Sequence, residues 1–548
     1  MTNPALTDRA RRCKAERVAT PGDQARRTLD LLRNQIETGR LDAAAGTAAR
    51  LLFIAPDPLV RAEVESALGV MLQRVGRVVE SRDHFLFAAS LTDNPGLRAS
   101  YLAQASEVQF LGGDLTATRT TANQALELGE RSGNAAAVCE SLANLALVAQ
   151  SEGYPGLAVD LARRSSRLGS IAPHSGPRSG WLRPLPVLPL AAAMVDLDLL
   201  ADADRLLSEA LASPAVAETA AHRPWLLGLR GIVRLLAGDW DRALMDAHSN
   251  LAEADRSGSL AARPWGWGVA AIVESLRGNA SGATTLLDAA GANRLGAFGR
   301  YGEEWLLVGR ATAAQQLPAY RQTLTEAWYR TRSHRWMVIW RPLAPALVRA
   351  AVAGGDLELA REVSLEAAEG ARRAGGVASA DASALQCAGL LSGDIDTLLS
   401  AVERYRSCGR PFALGQACLD AARGWIARGR PADAVVLLRE ATDIFHGLRA
   451  REPLIAAGLL LARHTGATTL PVVRVDPLAP LTRAERAVAI RAGQGLTNPQ
   501  IAAELFLSAR TVQAHLSSTY AKLTISSRVQ LAGLVAAGVA DTRNETRI

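Results

Sequence analysis

Short glycine-bearing turns return along this chain at a nearly fixed interval, and that interval restricts the available folds more than any other feature. They stand at Gly39-Arg40, Gly76-Arg77, Gly113-Asp114, Gly153-Tyr154, Gly238-Asp239, Gly278-Asn279, Gly355-Asp356, Gly393-Asp394 and Gly429-Arg430. Successive separations are 37, 37, 40, 85, 40, 77, 38 and 36 residues. The two long gaps are each close to two periods, and glycine-free turns fit inside them near Asp196–Asp198 and Leu317–Ala319. A small residue often stands five places after the glycine: Ala44, Ala158, Ala243, Ala283, Ala360 and Ala434, with Ser81 and Thr118 close equivalents and Leu398 the exception. Two helices of 14–17 residues, a tight turn and a short link total roughly 34–45 residues. Glycine ends the first helix in a left-handed cap, and the small residue lets the second helix approach closely.

The flanks carry the matching pattern. Gly415 to Ile426 places Ala417, Leu419, Ala421, Ala422, Trp425 and Ile426 on a helical period, and Asp433 to Phe445 does so with Ala434, Val435, Leu437, Leu438, Ala441 and Phe445. Strand signals are nearly absent. The period and its Gly/Ala grammar resemble tetratricopeptide repeats in a loose form, over residues 25–465 and about eleven helical hairpins. An unrelated α-solenoid would leave a similar trace. Residues 171–189 are rich in proline and glycine and read as a long loop. Residues 466–480, with Pro471, Pro477 and Pro480, read as a linker.

Composition excludes several classes. At 49% apolar and 21% charged, the 548 residues have the profile of an ordinary folded protein. Only Lys14 and Lys522 are lysines among 61 basic residues, and neither stands in a Gly-Lys-Ser/Thr loop, so no P-loop is present. Five scattered cysteines (Cys13, Cys139, Cys387, Cys408, Cys418) form no CxxC pair, which argues against a disulfide framework or cysteine zinc site and fits a reducing cytoplasm. Met1 to Thr20 lacks the apolar run of a signal peptide. The most apolar stretch, Leu185 to Leu207, is broken by Pro186, Pro189, Asp196 and Asp198 and is not expected to span a membrane. Gly266-Trp-Gly268 follows no strand and is set aside as a nucleotide loop. No catalytic motif appears; no enzyme activity and no cofactor are expected.

Residues 481–540 differ in character. Four helix starts can be read from caps: Thr482 with Glu485, Thr497 with Gln500 and Pro499 in the first turn, Ser508, and Ser526 or Ser527. Val488, Ile501, Leu505, Val512, Leu516, Leu523, Leu531, Leu534 and Val535 would fold inward. The few residues between helices two and three, around Phe506–Ser508, predict a helix-turn-helix with helix three in the major groove. Arg483, Arg486, Arg491, Arg510, Lys522 and Arg528 face only Glu485 and Glu504, a net +4 out of the chain's +7.

Leu481, Thr482, Glu485, Arg486, Val488, Gly495, Leu496, Thr497, Asn498, Ile501, Ala502, Leu505, Ser508, Thr511, Val512, His515, Lys522, Leu523 and Arg528 stand in register with the LuxR-type (GerE-like) DNA-binding domain, which this segment closely resembles. The resemblance implies a four-helix module whose third helix reads DNA and whose fourth helps it dimerise. Repeats followed by this module also look like the C-terminal half of the large ATP-binding LuxR regulators of the maltose-activator type, without their nucleotide-binding domain. The family often has a basic residue where this chain has Pro499 and Gln513. Its first helix is more apolar than the one here, where Ala489 and Arg491 predict looser packing.

By this resemblance the DNA-binding set is Thr497, Asn498, Arg510, Thr511, Gln513, Ala514, His515, Ser517, Lys522 and Arg528. Gln513, Ala514 and Ser517 match the base-reading positions; Gln513 can pair bidentately with adenine and Ala514 can touch a thymine methyl. Arg510, Thr511, Lys522, Arg483 and Arg528 would hold phosphates, while His515 packs locally rather than ligating metal. A second candidate surface is Trp328, Arg332, Arg335, Trp336 and Trp340, read either as a partner or effector site on the repeats or as core tryptophans with snorkelling arginines. The expected protein is a cytoplasmic bacterial transcription regulator that binds double-stranded promoter DNA as a homodimer. An unknown effector would act on its repeats, and RNA polymerase or another protein would be a partner; no membrane is involved. The alternative is an interaction scaffold whose helix-turn-helix binds DNA weakly or not at all. A sigma-factor-like region four shares the helix-turn-helix, but the repeats occupy the place of its companion domain.

Overall fold

The computed structural model describes residues 21–54, 57–171, 186–213, 221–292, 302–315, 318–333, 337–465, 478, 481, 483–505, 507–523, 525 and 527–539. The chain divides into two compact units, Met1–Leu470 and Pro471–Ile548. Among the described residues all regular structure is helical.

The first unit is built of consecutive antiparallel helices. It opens with α1 (Pro21–Glu37), α2 (Leu41–Ile54), α3 (Pro58–Arg74), α4 (Val78–Ser90), α5 (Pro95–Leu111), α6 (Leu115–Ser132), α7 (Ala135–Ser151) and α8 (Pro155–Ile171). It continues with α9 (Val187–Asp196), α10 (Leu200–Ala212), α11 (Arg223–Ala237), α12 (Trp240–Ser257), α13 (Arg263–Leu276), α14 (Ala280–Ala292), α15 (Glu303–Ala313) and α16 (Tyr320–Ser333). It closes with α17 (Met337–Ala353), α18 (Leu357–Ala374), α19 (Ala378–Ser392), α20 (Ile395–Arg406), α21 (Pro411–Ala427), α22 (Pro431–Leu448) and α23 (Arg451–Thr465).

The turn glycines mark the joints. Gly39, Gly76, Gly113, Gly153, Gly238, Gly278, Gly355, Gly393 and Gly429 all have positive φ, and each sits between two consecutive helices. In the first long gap Asp198 takes the same place at φ 60, a conformation that Asp tolerates better than most residues. In the second, α15 and α16 flank residues 316–317, which lie outside the described residues. The stretch read as a loop over 171–189 is shorter than expected. Ile171 still belongs to α8 and Val187 opens α9, because Pro189 falls in the first turn, where a missing N–H costs nothing; residues 172–185 lie outside the description.

The small residue five places on is the contact point. Ala44, Ser81, Thr118, Ala158, Ala203, Ala243, Ala283, Ala360 and Ala434 are all fully buried. The exception is compensated across the interface: a Cβ on Gly389 of α19 would stand 2.7 Å from Cγ of Leu398 on α20. Where the second helix carries leucine, the first carries glycine. Gly266 and Gly268 in α13 serve the same end. A Cβ at Gly266 would meet Asn250 Oδ1 at 2.3 Å, and one at Gly268 would meet the Trp305 backbone at 2.7 Å. These glycines permit close helix crossing.

Contacts also reach across hairpins far apart in sequence. Arg410 Nε donates to Asp198 Oδ1 at 2.7 Å and its Nη2 to the Val195 carbonyl at 2.7 Å. The Ser379 N–H donates to Asp198 Oδ2 at 2.9 Å, and Arg341 Nη1 donates to the Asp196 carbonyl at 2.8 Å. The turn between α9 and α10 is thereby held by α17, α19 and the residue that precedes α21. Among the described residues no helix is long and apolar enough to cross a membrane.

The tryptophan-arginine stretch is divided between core and surface where it is described. Trp328 is fully buried and its ring lies 4.9 Å from that of Trp340. Arg332 pairs on the surface with Glu362 and, at 2.8 Å, with Glu366. Arg335 and Trp336 lie outside the described residues. Trp328 is therefore core and not part of a partner surface, because α16 turns it away from solvent.

Two outcomes follow from this packing. Gly389→Leu should lower the stability of the repeat unit by about 1–3 kcal/mol through overpacking against Leu398, and Leu398→Ala in the same chain should recover part of that loss; denaturant melts of the three variants measure it. Burial pushes the Asp196 carboxyl up to about 6 and that of Glu304 up to about 8. Each group then holds in the folded state a proton that the unfolded chain releases, so its contribution to stability is present at low pH and is lost as pH rises through those values. The thermal midpoint of the repeat unit should fall between about pH 5 and pH 8.5, as read by circular dichroism.

Candidate nucleic-acid interface

Among the described residues the second unit contains four helices: α24 (Arg483–Gly493), α25 (Asn498–Leu505), α26 (Ala509–Lys522) and α27 (Arg528–Val539). Each begins one residue after a cap read from the sequence. The Thr497 N–H donates to Gln500 Oε1 at 2.8 Å, the returning arm of a capping box. Ser508 Oγ accepts the Thr511 N–H at 3.0 Å, and Ser527 Oγ accepts the Gln530 N–H at 3.2 Å. Thr482 and Ser526 lie outside the described residues.

The core of this unit is Val488, Ala489, Ala492, Ile501, Ala502, Val512, Leu516, Leu531 and Val535, joined by Leu478 and Leu481. Leu478 lies within the stretch read as a linker, yet it is buried here, so the packed unit begins earlier than 481. The first helix is not loosely held. Ala489 is fully buried, and a Cβ on Gly493 would stand 2.6 Å from Cβ of Val535. Small residues on α24 thus draw α27 close, where the sequence alone suggested thin packing. Arg491 is bound by Glu504 at 2.7 Å and by the Ala487 carbonyl, so it is spent within the unit.

With Val512 and Leu516 turned inward, α26 presents Gln513, Ala514 and Ser517 to solvent on its opposite side. Arg510 is exposed at the start of the same helix, and Thr511 and His515 are half-buried beside it. Thr511 Oγ1 lies 2.7 Å from Ser508 Oγ. Lys522 ends α26, but its side chain, like that of Arg483, lies outside the described residues.

Three of the expected contact residues, Arg528, Asn498 and Gln513, are joined by hydrogen bonds inside the unit. Arg528 donates to the Leu496 carbonyl and, at 3.2 Å, to Asn498 Oδ1. Asn498 Nδ2 in turn donates to Gln513 Oε1 at 2.8 Å. A guanidinium can only donate, so Arg528 sets the orientation of the Asn498 amide, which then sets that of Gln513. The Gln513 Nε2 donor is left pointing away from this chain of bonds. Arg528, expected on a phosphate, is thus bonded between α25 and α27. Glu485, 5% exposed, accepts from Ser518 Oγ at 2.6 Å and ties α24 to α26. Neither arrangement is visible in sequence, since the partners stand 15, 30 and 33 residues apart. Among the described residues no group of His, Cys, Asp or Glu could hold a metal ion.

Residues 479–535 match the model of the bacterial regulatory proteins of the luxR family. A protein of Mycobacterium bovis named as an HTH-type transcriptional regulator is 55% identical over 51 residues, 9% of this chain and 6% of that protein. The DNA-binding transcriptional activator DevR/DosR of Mycobacterium tuberculosis is 40% identical over 77 residues, 14% of this chain and 34% of that protein. The chain spans less than half the length of the curated relatives it matches. A solved Rap protein, complexed with Competence and Sporulation Factor, aligns over 58% of this chain and 99% of its own at a TM-score of 0.42 and 11% identity. The chain thus carries a LuxR-type helix-turn-helix domain at its C-terminal end, preceded by an all-helical region.

Removing the hydroxyl that caps α26 should weaken this unit without touching the repeats. Ser508→Ala is expected to cost about 1 kcal/mol, seen as a lower unfolding midpoint for the second unit in hydrogen-exchange or denaturant experiments on the full chain.

Proposed function

We propose that the chain is a DNA-binding transcription regulator of LuxR type. The observation that carries this reading is α26: a helix capped at Ser508, anchored by Val512 and Leu516, with Gln513, Ala514 and Ser517 exposed on its outer side and Arg510 at its start. In this reading α26 enters the major groove. Arg510, Lys522 and Arg483 neutralise phosphates, with Thr497 and Thr511 at the helix starts close to the backbone. A homodimer on a two-fold related site is the matching assembly. The first unit is read as a loose tetratricopeptide-type solenoid of about eleven hairpins that binds an effector or protein partner in the cytoplasm, the arrangement of the large ATP-binding LuxR regulators without the ATPase.

The bonds from Arg528 through Asn498 refine the base reading. Because Gln513 Oε1 already accepts from Asn498, the side chain offers the groove a donor. It then suits an acceptor edge, N7 or O6 of guanine or O4 of thymine, in place of the bidentate pairing with adenine expected from residue type alone. Arg528 and Asn498 act here as positioning residues.

The test is selection of genomic fragments by the full chain, followed by anisotropy titrations at several salt concentrations. Enrichment of a two-fold site is expected, with affinity falling from 50 to 200 mM salt by roughly 100-fold for one module that neutralises about four phosphates, and far more for a dimer. Lys522→Ala should weaken all sequences alike and reduce the salt slope by about one. Asn498→Ala should leave that slope unchanged and relax discrimination at one base position by about 1–3 kcal/mol. No enrichment by the full chain would return the scaffold reading.

A further inference from the structure

Helices α3, α5, α7, α9, α11 and α13 of the first unit, with residues that precede α11 and α13, line a cavity of about 130 Å3, room for roughly ten water-sized positions. Its wall combines two kinds of group. Phe110, Trp225 and Trp265 supply aromatic surface, with the two indoles edge to face at 5.4 Å and 89°. Glu107 from α5 and Glu140 from α7 supply two carboxyls. The other ionisable groups that face the cavity are Arg74 and His222. Arg74 Nη1 is committed to the Ile36 carbonyl. Burial, with the charge of Arg74, holds the His222 imidazole down to about 4, so it is neutral near pH 7.

The charge of this wall depends on the protons of its two carboxyls. With both carboxyls ionised, two negative charges face one guanidinium and the sum is −1. Burial raises the Glu107 carboxyl to about 7, and burial with the neighbouring Glu107 charge raises that of Glu140 well above the carboxylate range. Both carboxyls therefore hold protons readily near pH 7, and a cation placed between them would displace those protons and pair with the carboxylates. The wall also holds an oriented acceptor. Asn144, only 3% exposed, spends its Nδ2 on the Ala103 carbonyl at 3.0 Å and Ser106 Oγ at 2.7 Å, which turns the amide oxygen away from both.

We propose that this cavity binds a small organic monocation, an arylalkylamine of about ten heavy atoms, with its ammonium between Glu107 and Glu140 and its ring against Trp225, Trp265 and Phe110. Carboxylates and aromatic faces are the two surfaces that favour an ammonium over its neutral isostere. The site needs no DNA, so its failure would leave the reading of the second unit untouched.

Calorimetry on the full chain tests this with three probes of one shape: phenethylamine, 2-phenylethanol and phenylacetate. Phenethylamine should bind at least tenfold more tightly than the alcohol, and phenylacetate should not bind. Binding of the cation should release protons at pH 7, seen as different heats in Tris and in phosphate, because ionised carboxyls are required. Glu140→Gln should weaken the amine at least tenfold and leave the alcohol unchanged. Glu130→Gln, at an exposed position of α6, should change neither. Equal affinity for amine and alcohol, no proton release, or no amine binding at millimolar concentration would overturn the proposal. Proton release is read on the unaltered chain, so the test stands even where a substitution disturbs folding.

Discussion

How closely two helices can cross depends on the side chain that stands at the crossing, and the repeat unit is built on that limit. Nine of the second helices meet their partners through a buried Ala, Ser or Thr five residues beyond the turn. Small side chains at this position let backbones approach and bring the flanking apolar residues of both helices into contact. The pairing of Leu398 with Gly389 shows that what is held constant is the space at the crossing, not the residue that fills it. The α24–α27 contact in the second unit obeys the same limit through Gly493 and Val535.

Local pairing alone would give a row of hairpins free to bend at every joint. The Asp198 carboxylate acts against that in the first unit. It accepts from Arg410, 212 residues away, and from the Ser379 backbone, 181 residues away. Asp198 and the Arg410 side chain are each only 9% exposed, and charges so withdrawn from water are tolerated when they are paired and hydrogen-bonded. The residue that replaces glycine at this joint is therefore also the one that contacts distant hairpins, and glycine could not do the second task.

In the second unit one chain of hydrogen bonds both joins helices and orients an exposed side chain. Arg528 bonds the start of α27 to the start of α25, and through Asn498 it orients an exposed amide on α26. A partly buried donor-only group at the root of such a chain of bonds decides which atom of Gln513 faces outward. The identity of Gln513 alone leaves that choice open.

Much of this was legible in the chain itself. The glycine period, the small residue after each turn and the helix caps at Thr497, Ser508 and Ser527 depend on partners within about five residues, so the pattern of residues suffices to read them. The resemblance of residues 481–540 to a LuxR-type module was legible for the same reason, and the family match over 479–535 agrees with it. What the linear pattern could not decide was which distant groups meet. It did not show that Trp328 is core, that Leu478 belongs to the second unit, that Arg528 is bonded within the unit, or that Glu107 and Glu140 face one cavity. Those outcomes rest on contacts between residues tens or hundreds of positions apart. Residue type sets what each group can bond to, but only packing of the helices determines which partner comes within reach.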